Sequence, residues 1–261
     1  TACVGRTTPN SVIPLPQIAP FVLHFVPLFS FKGGKYGAST VGGGGGIAGL
    51  IGDPMKALYG VNDNGGDATG FCAKKFFAGQ GCGLVYALIP DATAIYHEQI
   101  LHTFTGPPDG ALPFGTLLQV GTDLYGTTGY GGDAACFKVG CGTVFKLTPS
   151  GTRYDESILH TFKNTGDGAF PFAALIADSQ GNLYGTTRGG ANLIGRGYGY
   201  GTVFELVASE SYKVRTLYRF QGGSDGASPV TTLVTIDKSV FRDHAARQPR
   251  VVQRHRLRHR F

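Results

Sequence analysis

The segment Gly142-Thr143-Val144-Phe145-Lys146-Leu147 decides how this chain is read, because it recurs. It returns as Gly201-Thr202-Val203-Phe204, and in a looser form as Gly83-Leu84-Val85-Tyr86. Other motifs keep step with it. Leu101-His102-Thr103-Phe104 comes back as Leu159-His160-Thr161-Phe162 and then as Leu217-Tyr218-Arg219-Phe220, each time 58 residues on. Asp109-Gly110-Ala111, Asp167-Gly168-Ala169 and Asp225-Gly226-Ala227 hold the same interval, each two residues before a proline (Pro113, Pro171, Pro229). Leu124-Tyr125-Gly126-Thr127-Thr128 matches Leu183-Tyr184-Gly185-Thr186-Thr187, and Leu58-Tyr59-Gly60 is a weaker copy. Self-similarity at one fixed period marks a repeat architecture and outranks any local reading.

Each unit parses into four short strands. The first follows the proline, as in Phe114 to Val120, and the second carries Leu-Tyr-Gly-Thr-Thr. The third carries Gly-Thr-Val-Phe, and the fourth ends at Leu-His-Thr-Phe. Turn signals separate them: Asp178-Ser179-Gln180-Gly181-Asn182, Thr148-Pro149-Ser150-Gly151 and the Gly-Gly pairs. Four strands and four turns make one β-propeller blade, and blade repeats of about 40 to 50 residues leave room here for one extended loop per blade. A β-solenoid is the competing architecture, but its coils are shorter and simpler. The expected fold is all-β and propeller-like, with four-stranded blades of about 58 residues in an incomplete ring. The expected divisions are an extended N-terminal segment 1–27, a divergent repeat 28–100, repeats 101–158 and 159–216, and a truncated repeat 217–261.

Composition agrees. The chain has 261 residues, 42 of them glycine, with only 15% charged. No stretch shows a sustained helical apolar period with caps. The apolar run from Ile18 to Phe31 is broken by Pro20, His24 and Pro27, and is too short to span a bilayer. The net charge of +6 belongs entirely to residues 242–261, which hold seven arginines against Asp243. The repeat body is neutral, so no specific nucleic-acid partner is expected. The tail has its own reading. Where the period calls for Leu-Tyr-Gly-Thr-Thr and Gly-Thr-Val-Phe, the chain gives Phe241 to Ala245 and His255 to Phe261. With permitted codon choices, reading the codons one base later restores both motifs, so an aberrant frame beginning at about residue 238 is expected. A basic tail attracted to nucleic acid or anionic lipid is the rival.

The pattern resembles the bacterial choice-of-anchor tandem-repeat family called GloVer, whose repeats read D-G-x-x-P, G-N-L-Y-G-T-T-x-x-G-G and G-T-V-F-x-L. Asp109 to Phe220 carry these elements nearly intact. Residues 28–100 match loosely: the Gly42–Gly46 run interrupts the first strand, and Tyr36 replaces the aspartate of Asp-Gly. The resemblance implies an exported, surface-anchored or secreted protein. It supplies no catalytic residues.

Cys82 and Cys141 occupy one repeat position, and Cys72 and Cys136 lie upstream in the same variable loop. The third copy has Tyr200 and no partner cysteine, so the pair is present or absent together. This favours two local disulfides, Cys72–Cys82 and Cys136–Cys141, in an extracellular or periplasmic setting. Two thiols per loop without a nearby histidine make zinc the weaker alternative. Cys3 is left over. His102 and His160 share a position that Tyr218 takes in the next copy, which points to structure rather than acid–base chemistry. Asp109, Asp167 and Asp225 read as turn-fixing residues, with calcium the lesser alternative. Tyr125, Tyr184, Phe145 and Phe204 read as repeat-defining core residues.

No phosphate loop, nucleophile elbow, zincin or kinase motif is present, so no cofactor and no metal is expected. Catalytic residues remain unassigned. The leading functional expectation is a non-catalytic module that binds a surface glycan or protein. A propeller-fold lyase or glycosidase would need unique polar residues in one blade, and only Asp67, Lys74 and Lys75 of the irregular first unit offer any. The third reading is a truncated product without independent activity.

Overall fold

The computed structural model describes residues 27–37, 48–53, 56–66, 68–75, 81–190, 199–236 and 239–241. The first antiparallel sheet contains β1 (Ile51–Asp53), β2 (Ala57–Asn62), β3 (Leu84–Pro90) and β4 (Tyr96–Thr103) in that order. In the second, β5 (Gly110–Pro113) and β6 (Leu118–Val120) both pair with β7 (Asp123–Gly131), followed by β8 (Thr143–Ser150) and β9 (Arg153–Thr161). The third runs β10 (Ile176–Ala177), β11 (Leu183–Thr187), β12 (Thr202–Val207), β13 (Lys213–Arg219). A two-stranded sheet of β14 (Val234–Ile236) and β15 (Ser239–Phe241) follows. The fold is all-β and propeller-like, a succession of open, four- to five-stranded antiparallel sheets. Leu101–Thr103 complete the first sheet, so the sheets are offset from a count that starts at Leu101.

Two details depart from expectation. The strand anticipated from Phe114 to Val120 pairs only over Leu118–Val120, while Gly110–Pro113 pairs farther along β7. Between them the chain leaves the sheet to approach its neighbour, and a Cβ on Gly115 would lie 2.7 Å from the Ala173 carbonyl oxygen. The extended loop of the first unit also holds one short helix, α1 (Gly70–Lys75). The Gly42–Gly46 run, the N-terminal segment 1–26 including Cys3, and the tail 242–261 with its frame anomaly lie outside the described residues.

The two most repeated motifs explain each other. Pairing places Gly126 opposite Phe145, Gly185 opposite Phe204 and Gly60 opposite Tyr86. A Cβ on Gly126 would sit 2.4 Å from Phe145 Cζ, and one on Gly185 2.6 Å from Phe204 Cζ. The ring lies flat across its partner strand only because that strand has no side chain there. Beside this pair, Thr128 and Thr143 share a buried Oγ1–Oγ1 hydrogen bond of 2.7 Å, as do Thr187 and Thr202. The first sheet has Asn62 and Leu84 in register instead, and the buried Asn62 Nδ2 has no partner among the described residues.

The core lies between sheets rather than within one. Phe104 at the end of the first sheet meets Phe145 of the second edge-to-face at 5.2 Å, and Phe162 meets Phe204 of the third at 5.1 Å. Phe31 meets Tyr86 in the same way at 4.9 Å. Phe104, Phe145, Phe162 and Phe204 are all fully buried. Each such ring contributes about 1.5–3 kcal/mol from apolar burial. Consecutive sheets therefore stabilise one another, as in other repeat proteins.

A main-chain joint sets their spacing. Gly142 has φ of 93°, and a Cβ there would fall 2.3 Å from the Thr128 carbonyl oxygen and 2.6 Å from Pro171 Cδ. Gly83 and Gly201 meet Pro113 and Pro229 in the same manner. The carbonyl of each glycine accepts the N–H of Phe104, Phe162 or Phe220. The carbonyl just before it (Cys82, Cys141, Tyr200) accepts the N–H of Leu112, Phe170 or Ser228 at 2.8 Å. Those last three residues all carry positive φ, between 53° and 60°.

Gly142→Ala is expected to destabilise the protein by about 2–4 kcal/mol, since the methyl meets backbone on one side and proline on the other. Gly151, at φ 63° with nothing within 4 Å of its would-be Cβ, serves as the control. Its alanine variant should lose only about 1–2 kcal/mol in the same urea unfolding measurement.

Candidate functional site

The repeated Leu-His-Thr-Phe motif marks a break in pairing. In each of the three larger sheets the register between the last two strands slips at one place, beside Val85/Tyr86, Val144/Phe145 and Val203/Phe204. The unpaired extra residue is Leu101, Leu159 or Leu217. A bulge bends its strand and re-aims the next side chain. The re-aimed residue is His102, His160 or Tyr218, and it meets the aspartate seven positions on. His160 Nε2 lies 3.2 Å from Asp167 Oδ2, and the Tyr218 hydroxyl donates to Asp225 Oδ1. Each histidine also packs edge-on against its motif phenylalanine, at 4.6 Å for His102 and 4.7 Å for His160.

The aspartates are buttressed by backbone. Asp109 Oδ2 accepts the Thr105 N–H at 2.9 Å and Asp225 Oδ2 accepts that of Gln221 at 2.9 Å. Asp167 accepts the N–H groups of Lys163 and Thr165, both at 3.0 Å. Burial works against ionisation of Asp167, but His160 and these amides outweigh it and hold the carboxyl below the ordinary aspartate range.

The junction of the first and second sheets differs. His102 Nε2 is 3.5 Å from Asp109 Oδ2 and also 3.5 Å from Glu156 Oε1, which reaches in from β9. Both separations are longer than an ordinary N–H···O bond. Burial pushes the Glu156 carboxyl up to about 7; His102 opposes this and Asp109 adds to it. Burial disfavours a charged His102, yet the neighbouring carboxylates prevail and raise its pKa. Sequence reading did not single out Glu156. Its repeat mates are Glu98 and Val214, and no local signal separates Glu156 from Glu98.

Phe145 and Phe204 are fully buried, and Tyr125 and Tyr184 nearly so. Burial raises both tyrosine pKa values, and the Tyr184 hydroxyl donates to Asp178 Oδ2 at 2.9 Å. Cys72 and Cys82 are disulfide-bonded, as are Cys136 and Cys141. Each bridge closes the loop just ahead of a joint glycine. Lys74 is exposed on α1; Asp67 and the side chain of Lys75 lie outside the described residues.

An aromatic row runs from the second sheet to the third. Phe114 meets Phe172 at 4.7 Å, and Tyr130 lies 6.1 Å from Phe172 and 5.4 Å from Phe170. Phe137, carried by the loop between Cys136 and Cys141, stacks on Phe170 at 5.6 Å and is 40% exposed. The exposed Arg188 guanidinium sits 5.7 Å over the Phe172 ring. No helix among the described residues is long and apolar enough to cross a membrane.

The two disulfides span 10 and 5 residues. Replacing either pair by serines should cost about 2–3 kcal/mol in urea unfolding, with the longer loop costing about 0.6 kcal/mol more. Asp167→Asn should cost about 1–3 kcal/mol at neutral pH, the worth of charged hydrogen bonds in a partly buried site. Because the folded carboxyl titrates below its unfolded value, that contribution is complete above about pH 4 and is lost as pH falls further. Acid unfolding curves of the variant should accordingly be flatter than those of the parent.

No curated protein matches the chain. Among solved structures, a luciferin-regenerating enzyme is similar at 14% identity and a TM-score of 0.44, over 73% of this chain. The match spans 50% of that protein's own length. A family model described as the Gloeobacter/Verrucomicrobia repeat matches residues 28–241. The chain belongs to the Gloeobacter/Verrucomicrobia repeat family.

Proposed function

We propose that this chain is an exported protein whose propeller-like scaffold serves as a non-catalytic binding or surface-interaction module, with a glycan as the favoured ligand class. The aromatic row carries the reading. Phe114, Tyr130, Phe172 and Phe137 lie along the meeting of two sheets with Arg188 beside them, and they are half-buried or exposed. Apolar ring faces next to a cation suit the alternating C–H and hydroxyl surface of a sugar, and aromatic rings offer rigid area at low entropic cost. The recurring threonine pairs, Asp167 and Asp225, by contrast, are occupied with strand pairing and turns. Two disulfides support an oxidising compartment outside the cytoplasm.

A glycan and protein array probed with the intact chain tests this reading. Binding is expected to a glycan, weakened about tenfold by Phe137→Ala and likewise by Arg188→Ala. A silent array accompanied by turnover of a polysaccharide would sink it.

A further inference from the structure

One position of the fold works as an exchangeable triad. Its first member follows the bulge at His102, His160 and Tyr218, and Phe29 is the counterpart in the N-terminal copy by motif alignment. The second closes the loop ahead of a joint: Tyr36, Asp109, Asp167 and Asp225. The N-terminal copy is placed by its turn, where Gly33 N–H donates to the Gly37 carbonyl as Gly106 does to Gly110 and Gly222 to Gly226. The third member comes from the outer strand of the following sheet. Glu98, Glu156 and Val214 pair with Leu88, Leu147 and Leu206 in equivalent register. Among the described residues, only the junction of the first two sheets combines an imidazole with two carboxylates.

That junction is also incompletely bonded. His102 Nε2 and Glu156 Oε1 are shut off from solvent, and neither has a hydrogen-bond partner among the described residues. At the next junction, His160 reaches Asp167 at 3.2 Å, and Val214 brings no polar group that needs one. The side chains of His102, Asp109 and Glu156 are only 16–18% exposed. Their donor atoms all lie within 4.8 Å of one another, with His102 3.5 Å from each carboxylate. Donors bound to one tetrahedral ion at about 2.0–2.1 Å stand about 3.4 Å apart.

We propose that His102 Nε2, Asp109 Oδ2 and Glu156 Oε1 form a three-ligand site for a divalent cation of the zinc class, which clips the first sheet to the second. An imidazole with two carboxylates suits zinc better than calcium or magnesium, which favour all-oxygen sets. The Thr105 N–H and hydroxyl, at 2.9 and 3.2 Å from the same Asp109 Oδ2, fix the position of that ligand. Water completes the shell. Because β4 and its loop supply two ligands and β9 the third, binding couples directly to the packing of the two sheets.

The test is zinc titration of the full, metal-stripped chain in a Cys3→Ser background, read by calorimetry and by competition with a chromogenic chelator. His97 and the tail residues His244, His255 and His259 also present imidazoles, so the decisive quantity is the difference between variants. Glu156→Val and His102→Phe install the side chains found at 214 and 29, and Glu156→Gln preserves size. Each should lose one zinc equivalent or weaken it about 100-fold or more, while His160→Phe leaves the titration unchanged. Zinc should raise the Tm of the parent and of His160→Phe, but not that of the other three. A parent that takes up no zinc at micromolar concentration overturns the proposal. So does a titration that Glu156→Gln and His102→Phe leave as it was, or binding of calcium in place of zinc.

Discussion

The close approach at Gly83, Gly142 and Gly201 is the constraint from which the rest of this structure follows. On one side stands a carbonyl of the preceding hairpin, and on the other the ring of the proline that opens the next sheet. No side chain fits between them. Two successive carbonyls at this point then hold the incoming chain through the N–H groups of Phe104 and Leu112, and of their counterparts. Leu112, Phe170 and Ser228 accept a left-handed backbone to make that bond. Such a conformation costs about 1–3 kcal/mol at a non-glycine residue, and the buried pairs Phe104–Phe145 and Phe162–Phe204 beside the first two joints offset it.

Much of this was legible in the sequence because repetition separates signal from accident. A glycine before Thr-Val-Phe is unremarkable once; repeated at 142 and 201, with a looser copy at 83 and a proline 28 to 30 residues after each, it marks a joint. The all-β fold and its run of antiparallel sheets follow from the same period. What escaped was the backbone detail inside each unit. The strand from Phe114 to Val120 reads as continuous because its residues favour extended structure. Nothing local shows that Gly115 must swing out toward Ala173. Helix α1 is equally silent, being six residues long and lodged in a loop whose ends are fixed by other means.

The candidate sites divide along similar lines. His102, His160 and the aspartates were visible as recurring types, but simple strand alternation assigns their directions wrongly. The bulge at Leu101 and Leu159 reverses that alternation, and no residue type announces a bulge made of leucine. Glu156 was hidden for a different reason: it faces a histidine 54 residues earlier in the chain, across a junction, and its repeat mates at 98 and 214 meet different company. The aromatic row was invisible for the same cause, since Phe114, Tyr130, Phe137 and Phe172 become neighbours only when two sheets dock.

The bulge has a consequence for assembly itself. Near-identical modules in tandem invite mispairing, because a sheet could dock on the wrong neighbour or on another molecule's copy with much the same apolar surface. By re-aiming one side chain, the bulge gives successive junctions different identities: at one, His102 meets Glu156, and at the next, His160 is followed by Val214 at the position equivalent to Glu156. A misplaced pairing would bury Glu156 against a residue that cannot satisfy it, or set Val214 where a carboxylate belongs. The shared aromatic and glycine framework makes the modules alike enough to stack. The differing junction residues make them unlike enough to stack in one order.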